Sequence, residues 1–319
     1  MPELLDLALS AVRDNADGQV PDLPQTSYDP DPGKLAVSLM TGDGRRFGAG
    51  DEDAVFSIQS MSKAFVYAIA LETYGFRAVD ARVDVEPSGE RYDAITVDPD
   101  TGRPANPMIN AGAMTVHSLL GGPDAAAAER EAIILDAFSR LAGRRLSVDE
   151  GVFEAEFATA HRNLAIAHLV KSAGGLEADP VEVVRGYTRQ CAIAVTTRDL
   201  AAMAATLCAA GVQPQTGQQV FAPRVARLVL SVMMACGMYD SAGDWMADVG
   251  IPAKSGVSGG IIGVVPGRAG IATYSPRLDT VGTSIRGEML FERLAEALGL
   301  HFVDAQHRDN LRWDDTLLA

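Results

Sequence analysis

Ser60 and Lys63, in Phe56-Ser57-Ile58-Gln59-Ser60-Met61-Ser62-Lys63, are the first residues whose types and spacing can do chemistry. If Ser60 opens a helix, Lys63 lies one turn on and on the same face, so hydroxyl and amine can meet. A serine hydroxyl is a poor nucleophile unless a base stands within hydrogen-bond reach. A lysine is that base only when neutral. The apolar run Ala64-Phe65-Val66-Tyr67-Ala68-Ile69-Ala70 would desolvate the ammonium, and a helix N-terminus disfavours a nearby cation. The same N-terminus aims backbone N–H groups at whatever the serine attacks, which begins an oxyanion hole. The competing reading is a capped helix with an ordinary surface lysine.

Other groups join this pair, each with an ordinary structural alternative. Lys254-Ser255-Gly256-Val257-Ser258-Gly259-Gly260 is similar to the Lys-Thr-Gly motif of Ser-x-x-Lys acyl-transfer enzymes, where an edge-strand N–H completes the oxyanion hole. Taken alone it is a Gly-rich turn before a hairpin. Tyr239 can relay a proton, or it is a half-buried structural tyrosine. Glu156 and Asn163 are seven apart, so an unbroken helix puts both on one face, where they grip an ammonium and a carboxylate or face solvent. Asn110 is a ligand or a loop cap. The five histidines show no metal spacing, and no phosphate-cradling or dinucleotide fingerprint occurs, so neither metal nor cofactor is expected. Cys191 and Cys236 read as core residues.

The elements that must position these groups follow from patterning. At 319 residues with 47% hydrophobic and 22% charged residues, the chain is one large or two closely joined domains. A net charge of −15 argues against nucleic acid or an anionic membrane as partner. Three cysteines without paired spacing, no export signal and no apolar run of spanning length point to the cytoplasm. Weak amphipathic spacing predicts a helix over residues 3–14. A hairpin is expected over residues 35–47, with Asp43-Gly44 at its turn. The Ser60 helix should end near Gly75. Helices are expected from Pro123-Asp124, over 151–173, from Asp179-Pro180, from Thr196 and from Pro223. Strands return at 261–265 and 271–274, before a last helix through Leu290 and Leu298. The fold class is therefore α+β: one mainly antiparallel sheet built from both chain ends, with flanking helices and an inserted helical domain. The divisions are 1–80 with 225–319 for the sheet domain and 81–224 for the helical one, with the active site between them.

Seven segments, in order over about residues 18–287, resemble the serine-dependent glutaminases related to β-lactamases. They are Phe56 to Lys63, Val85-Glu86-Pro87-Ser88-Gly89, Asn106 to Ala113, Arg162-Asn163, Tyr187 with Gln190-Cys191, Cys236 to Asp240, and Pro252 to Val257. The resemblance implies a β-lactamase/transpeptidase-like fold and cofactor-free hydrolysis of L-glutamine to L-glutamate and ammonia. It implies Ser60 as nucleophile, Lys63 as base, Tyr239 as proton relay, and the backbone N–H groups of Ser60 and Val257 as oxyanion hole. Asn110, Glu156, Asn163, Tyr187 and Tyr239 become the substrate pocket, and a homodimer or homotetramer is implied. The chain departs from the family at Gln19 to Pro24, which lacks a pocket tyrosine, with Tyr28 the nearest substitute. It departs again at Asp93 and Thr283, where the family has asparagine. Two rival activities are a penicillin-interacting serine hydrolase on the same scaffold and a glutamine-binding protein without turnover.

Overall fold

The hairpin expected near the N-terminus is made by β1 (Ala36–Thr41) and β2 (Arg46–Gly50), after a first helix α1 (Pro2–Val12). Its turn uses Gly44 at φ +85°, a conformation that glycine adopts without a Cβ clash. The computed structural model describes residues 1–20, 30–89, 91, 93, 94, 97, 98 and 100–304. Residues 21–24 and Tyr28, named above for the missing pocket tyrosine, lie outside them.

A short strand β3 (Phe56–Ser57) leads through a 3-10 turn, Gln59–Met61, into α2 (Ser62–Tyr74), which stops at Gly75. Ser60 therefore sits in the tight turn ahead of the helix rather than at its first residue. Then come α3 (Phe76–Asp80), α4 (Asn110–Leu119), α5 (Ala127–Ala142), α6 (Glu150–Ala158), α7 (His161–Ser172) and α8 (Pro180–Cys191). The helix expected over 151–173 is thus two helices, broken at Thr159–Ala160, where the Thr159 N–H turns back to Glu156 O. The one expected from Pro123 starts at Ala127 instead. β4 (Ala194–Val195) pairs with β3 and precedes α9 (Thr197–Cys208) and α10 (Pro223–Cys236). After a 3-10 turn at Tyr239–Ser241 the chain ends its described part with α11 (Ala242–Asp248), β5 (Ala253–Gly256), β6 (Gly260–Val265), β7 (Ala269–Tyr274) and α12 (Ile285–Leu298).

The sheet runs β2-β1-β7-β6-β5, antiparallel at every pairing, so strands from the two chain ends meet where β1 pairs with β7. Alternation along these strands feeds two cores. Val37, Leu39, Ile261, Val265 and Ile271 face α1, α11 and α12. Ala36, Met40, Ile262, Val264 and Ala272 face α2, α9 and α10. Helix, sheet and helix make three layers.

One helix crosses the expected domain division. α9 falls within 81–224, yet it lies on β7, because Gly270 and an Ala-rich face let the two backbones approach. A Cβ at Gly270 would stand 2.2 Å from Ala205 N and 2.5 Å from the Ala204 carbonyl carbon. Gly270→Ala should therefore cost about 1–3 kcal/mol of stability through overpacking, read as a lowered urea or thermal midpoint. An unchanged midpoint would show that α9 is not seated there.

Candidate active site

Three local features place the Ser60 turn. The first is β3, held by β4 and by the stacking of Phe56 on Tyr274 at 4.1 Å. The second is Gln59 at φ +50°, an uncommon conformation for a residue with a Cβ. The third is the edge strand β5, whose Gly256 passes so close that an added Cβ would lie 3.3 Å from Ile58 O and 3.4 Å from Gln59 Cβ. Ser60 is half-buried, and Val257 follows directly after β5. Both line a cavity of about 290 Å³ together with Gln59, Asp93, Asn110, Glu156, Arg162, Asn163, Tyr187 and Cys191, at the low end for a small-ligand site. A larger cavity of about 840 Å³, between α9, α10 and residues 300–304, contains none of these groups.

Asn110 is the hub. It begins α4 because the Asn106 side chain accepts from the N–H groups of Met108 (3.0 Å) and Ile109 (3.2 Å) and fixes the approach to the helix. Its Oδ1 accepts from Lys63 Nζ at 2.7 Å and from the Tyr187 hydroxyl at 3.4 Å. Its Nδ2 donates to Asn163 Oδ1 at 3.0 Å. Asn110 is the first residue of α4, but its side chain caps no helix N–H among the described residues; it bonds Lys63, Tyr187 and Asn163 instead. Glu156 and Asn163 reach the same cavity in spite of the helix break between them. Tyr187 comes from α8, whose start is capped by Asp179 accepting from Val181 N and Glu182 N.

Lys63 is buried in the floor. Its Nζ donates to Asn110 and, at 3.2 Å, to the Tyr239 hydroxyl, and among the described residues it has no hydrogen bond to Ser60. The expected direct meeting of hydroxyl and amine is replaced by an amine whose partners are Asn110 and Tyr239. Tyr239 is held at φ +57°, in the 3-10 turn after α10. A second buried amine, Lys254 Nζ, sits 3.8 Å from the Tyr239 ring centroid and donates to Ser255 O at 2.8 Å.

The electrostatics follow from dryness. Burial pushes the Lys63 ammonium down to about 7, and burial, aided by the nearby Lys63, pushes Lys254 well below its ordinary value. Burial raises the Glu156 carboxyl to about 7, against a 2.5 Å hydrogen bond from Gln59 Nε2. The Cys191 thiol, raised by burial to about 12, is no thiolate nucleophile. The site as built holds a half-exposed hydroxyl, a desolvated amine linked to a phenol, and a carboxylate with two amides on the opposite wall. That set suits acyl transfer to serine and the gripping of an amino acid.

Sequence reasoning missed four members. Gln59 lies inside the quoted segment but was given no role. Asp93, treated only as a departure from a pattern, lines the cavity and ion-pairs with Arg162 at 2.9 Å. Arg162 was noticed only as the neighbour of Asn163. Lys254 is read above as the basic residue of a Lys-Thr-Gly-like motif, not as a second buried amine. No short-range spacing links these residues.

The family model described as Glutaminase matches residues 18–302. A glutaminase of Corynebacterium efficiens is 48% identical over 306 residues, spanning 96% of this chain and 72% of its own. One of Clavibacter michiganensis subsp. michiganensis is 48% identical over 298 residues, 93% of this chain and 90% of its own. Among solved structures, Mglu in its glutamate form superposes with a TM-score of 0.91 at 46% identity, covering 95% of this chain and 70% of that one. A probable glutaminase of Bacillus subtilis gives 0.86 at 35% identity, covering 94% and 96%.

The depressed Lys63 has a signature in stability. Its folded value near 7 lies below the ordinary 10.5, so between those limits the unfolded chain binds the extra proton and stability rises with pH. Lys63→Met should reduce the slope of unfolding free energy against pH, measured over about pH 7.5–9, by up to one proton. An identical slope in the variant would show a lysine that keeps its proton when buried.

Proposed function

Because the chain belongs to the glutaminase family, amidohydrolases that convert L-glutamine to L-glutamate and ammonia, we propose that it does so through an acyl-enzyme on Ser60. The observation that carries the mechanism is the buried Lys63 amine, pushed to about 7 and linked to the Tyr239 hydroxyl beneath the cavity that Ser60 lines. Neutral Lys63 takes the Ser60 proton, directly or through the phenol, as the hydroxyl attacks the side-chain amide carbon. Catalytic hydrogen bonds are often long before substrate is bound, so the present partners of Lys63 suit this role. The oxyanion is held by the backbone N–H groups of Ser60 and Val257, a contribution of about a hundred- to a thousandfold per donor. The proton returns through Tyr239 to the leaving ammonia, and water then cleaves the γ-glutamyl ester.

Glu156 is proposed to take the substrate ammonium, while Asn110, Asn163 and Tyr187 take the carboxylate. An arriving cation offsets the burial that raises Glu156, so substrate and carboxylate charge support each other. Reach then sets specificity: with the ammonium and carboxylate fixed, asparagine is one methylene too short to bring its amide to Ser60. A homodimer or homotetramer goes with the family resemblance. A cytoplasmic location is supported by Cys191, Cys208 and Cys236, all buried and free.

Ser60→Ala should keep the fold and reduce ammonia release to background in a coupled assay. Retention of a tenth of the parent rate would remove Ser60 from its role. Since the neutral amine is the active form, kcat/KM should fall as pH drops below about 7. That limb should survive in Glu156→Gln, whose own effect falls mainly on KM. A limb that disappears with Glu156→Gln would assign it to the carboxylate. Turnover of a chromogenic cephalosporin in place of glutamine would favour the penicillin-interacting reading, and calorimetric binding of glutamine without ammonia release would favour a binding protein.

A further inference from the structure

Beneath the nucleophile turn lies a chain of hydrogen bonds between buried side chains that the mechanism above does not use. Ser62 Oγ donates to the Gln59 carbonyl at 2.7 Å. Gln190 Nε2 donates to Ser62 Oγ at 2.9 Å. His117 Nδ1 lies 2.9 Å from Gln190 Oε1. Ser62, Gln190 and His117 are each no more than 2% exposed.

The direction of the chain is determined by counting protons. Ser62 has one hydroxyl hydrogen and gives it to Gln59 O, so it accepts from Gln190. The Gln190 amide therefore turns its oxygen to His117, and His117 carries its proton on Nδ1. Burial holds this histidine near 4, so it is neutral at ordinary pH. Its Nε2 is buried without a hydrogen-bond partner among the described residues and faces Gly186, where a Cβ would stand 2.5 Å away. The absence of a side chain at Gly186 is what lets α8 close on α4 with the imidazole between them.

Gln59 C=O and Ser60 N–H are two ends of one planar peptide. Fixing the carbonyl fixes the direction in which the N–H points. The carbonyl also accepts from the Ser62 N–H, so two donors fill its acceptor capacity. We propose that His117, Gln190 and Ser62 are positioning residues: a directed relay that locks the Gln59–Ser60 peptide plane and so aims the Ser60 N–H at the oxyanion. The proposal rests on the reading of Ser60 as nucleophile and of its N–H as oxyanion donor. Asn110 and His117 are both on α4, and Tyr187 and Gln190 are both on α8, so the helices that supply the pocket also supply the relay.

The test compares the parent chain with Ser62→Ala, His117→Leu, His117→Asn and the Ser62→Ala/His117→Leu double variant, each checked for a parent-like circular dichroism spectrum. A misaimed donor acts on the transition state, so Ser62→Ala should lower kcat about ten- to a hundredfold with KM within about twofold, somewhat less than full removal of a donor. His117→Leu should match it. His117→Asn, whose amide nitrogen stands in for Nδ1–H, should recover most of the rate. The double variant should be no worse than the poorer single one, because both cut the same chain. The relay is overturned if Ser62→Ala keeps kcat within twofold, if the double loss is the product of the singles, or if Asn is no better than Leu. If the parent releases no ammonia from glutamine, the substrate reading fails. The same variants are then ranked by the rate at which a fluorophosphonate labels Ser60, read by mass spectrometry, with the same outcomes deciding. A Ser60 that the probe does not label even in the parent overturns both.

Discussion

Two ammonium groups cannot both keep their protons around one tyrosine ring in a dry interior. Lys63 and Lys254 are each no more than 1% exposed, their Nζ atoms 5.3 and 3.8 Å from the Tyr239 ring centroid. The hydrogen bonds that hold them go to neutral acceptors, Asn110 Oδ1, the Tyr239 hydroxyl and Ser255 O. Burying an uncompensated charge costs several kcal/mol, and a group so placed sheds its proton instead. Water exclusion at this point is therefore what brings the Lys63 ammonium toward neutrality, the condition that its proposed role as base requires. The apolar side chains that follow on α2, Phe65, Val66, Tyr67 and Ile69, are all buried and supply that dryness from the sequence itself.

Dryness alone would not aim a nucleophile. That depends on how closely the sheet edge approaches the Gln59–Met61 turn. Gly256 and Gly260 flank Val257 and Ser258, and a Cβ at Gly260 would stand 2.4 Å from Met61 Cε. A side chain at either position would press on the turn or on Met61 beneath it, so the close approach of turn and strand end depends on glycine there. The sheet is joined through β1 and β7, and its edge strand comes from the C-terminal part of the chain. The turn comes from the N-terminal part, and the opposite wall comes from α4, α6, α7 and α8. No local piece of the chain can assemble this site, so the geometry is a property of the tertiary fold.

This is also why the sequence was legible in some places and not in others. The α+β layout could be read because strand alternation near both ends and capped helices between them are local signals. Ser60 and Lys63 could be read because they lie three positions apart. Glu156 and Asn163 were joined by assuming an unbroken helix. The break at Thr159–Ala160 removes that assumption, yet both residues face the cavity, because α6 and α7 pack separately around it. What could not be read were contacts between distant parts of the chain: Asp93 with Arg162, Lys254 over Tyr239, and Gln59 with Glu156. Burial decides the chemistry of Lys254 and Glu156, and burial of a single polar residue has no periodic signature when its neighbours are glycines or lie on a half-exposed helix.

The same desolvation that leaves Lys63 partly neutral is paid for in stability below its ordinary pKa, because at neutral pH the unfolded chain holds a proton that the folded chain partly gives up. Raising the polarity around the amine would stabilise the protein and leave less of the amine neutral at pH 7. Making the surroundings drier would do the reverse. Glu156 runs the other way: its raised carboxyl favours folding at acid pH and loses that advantage as pH rises through about 7, where the site needs it charged. Around pH 7 both groups are therefore poised, and each works against the fold in the ionisation state it needs for chemistry. The two apolar cores on either face of the sheet offset these local costs, so how far the amine is pushed toward neutrality is set by how much the surrounding packing can support.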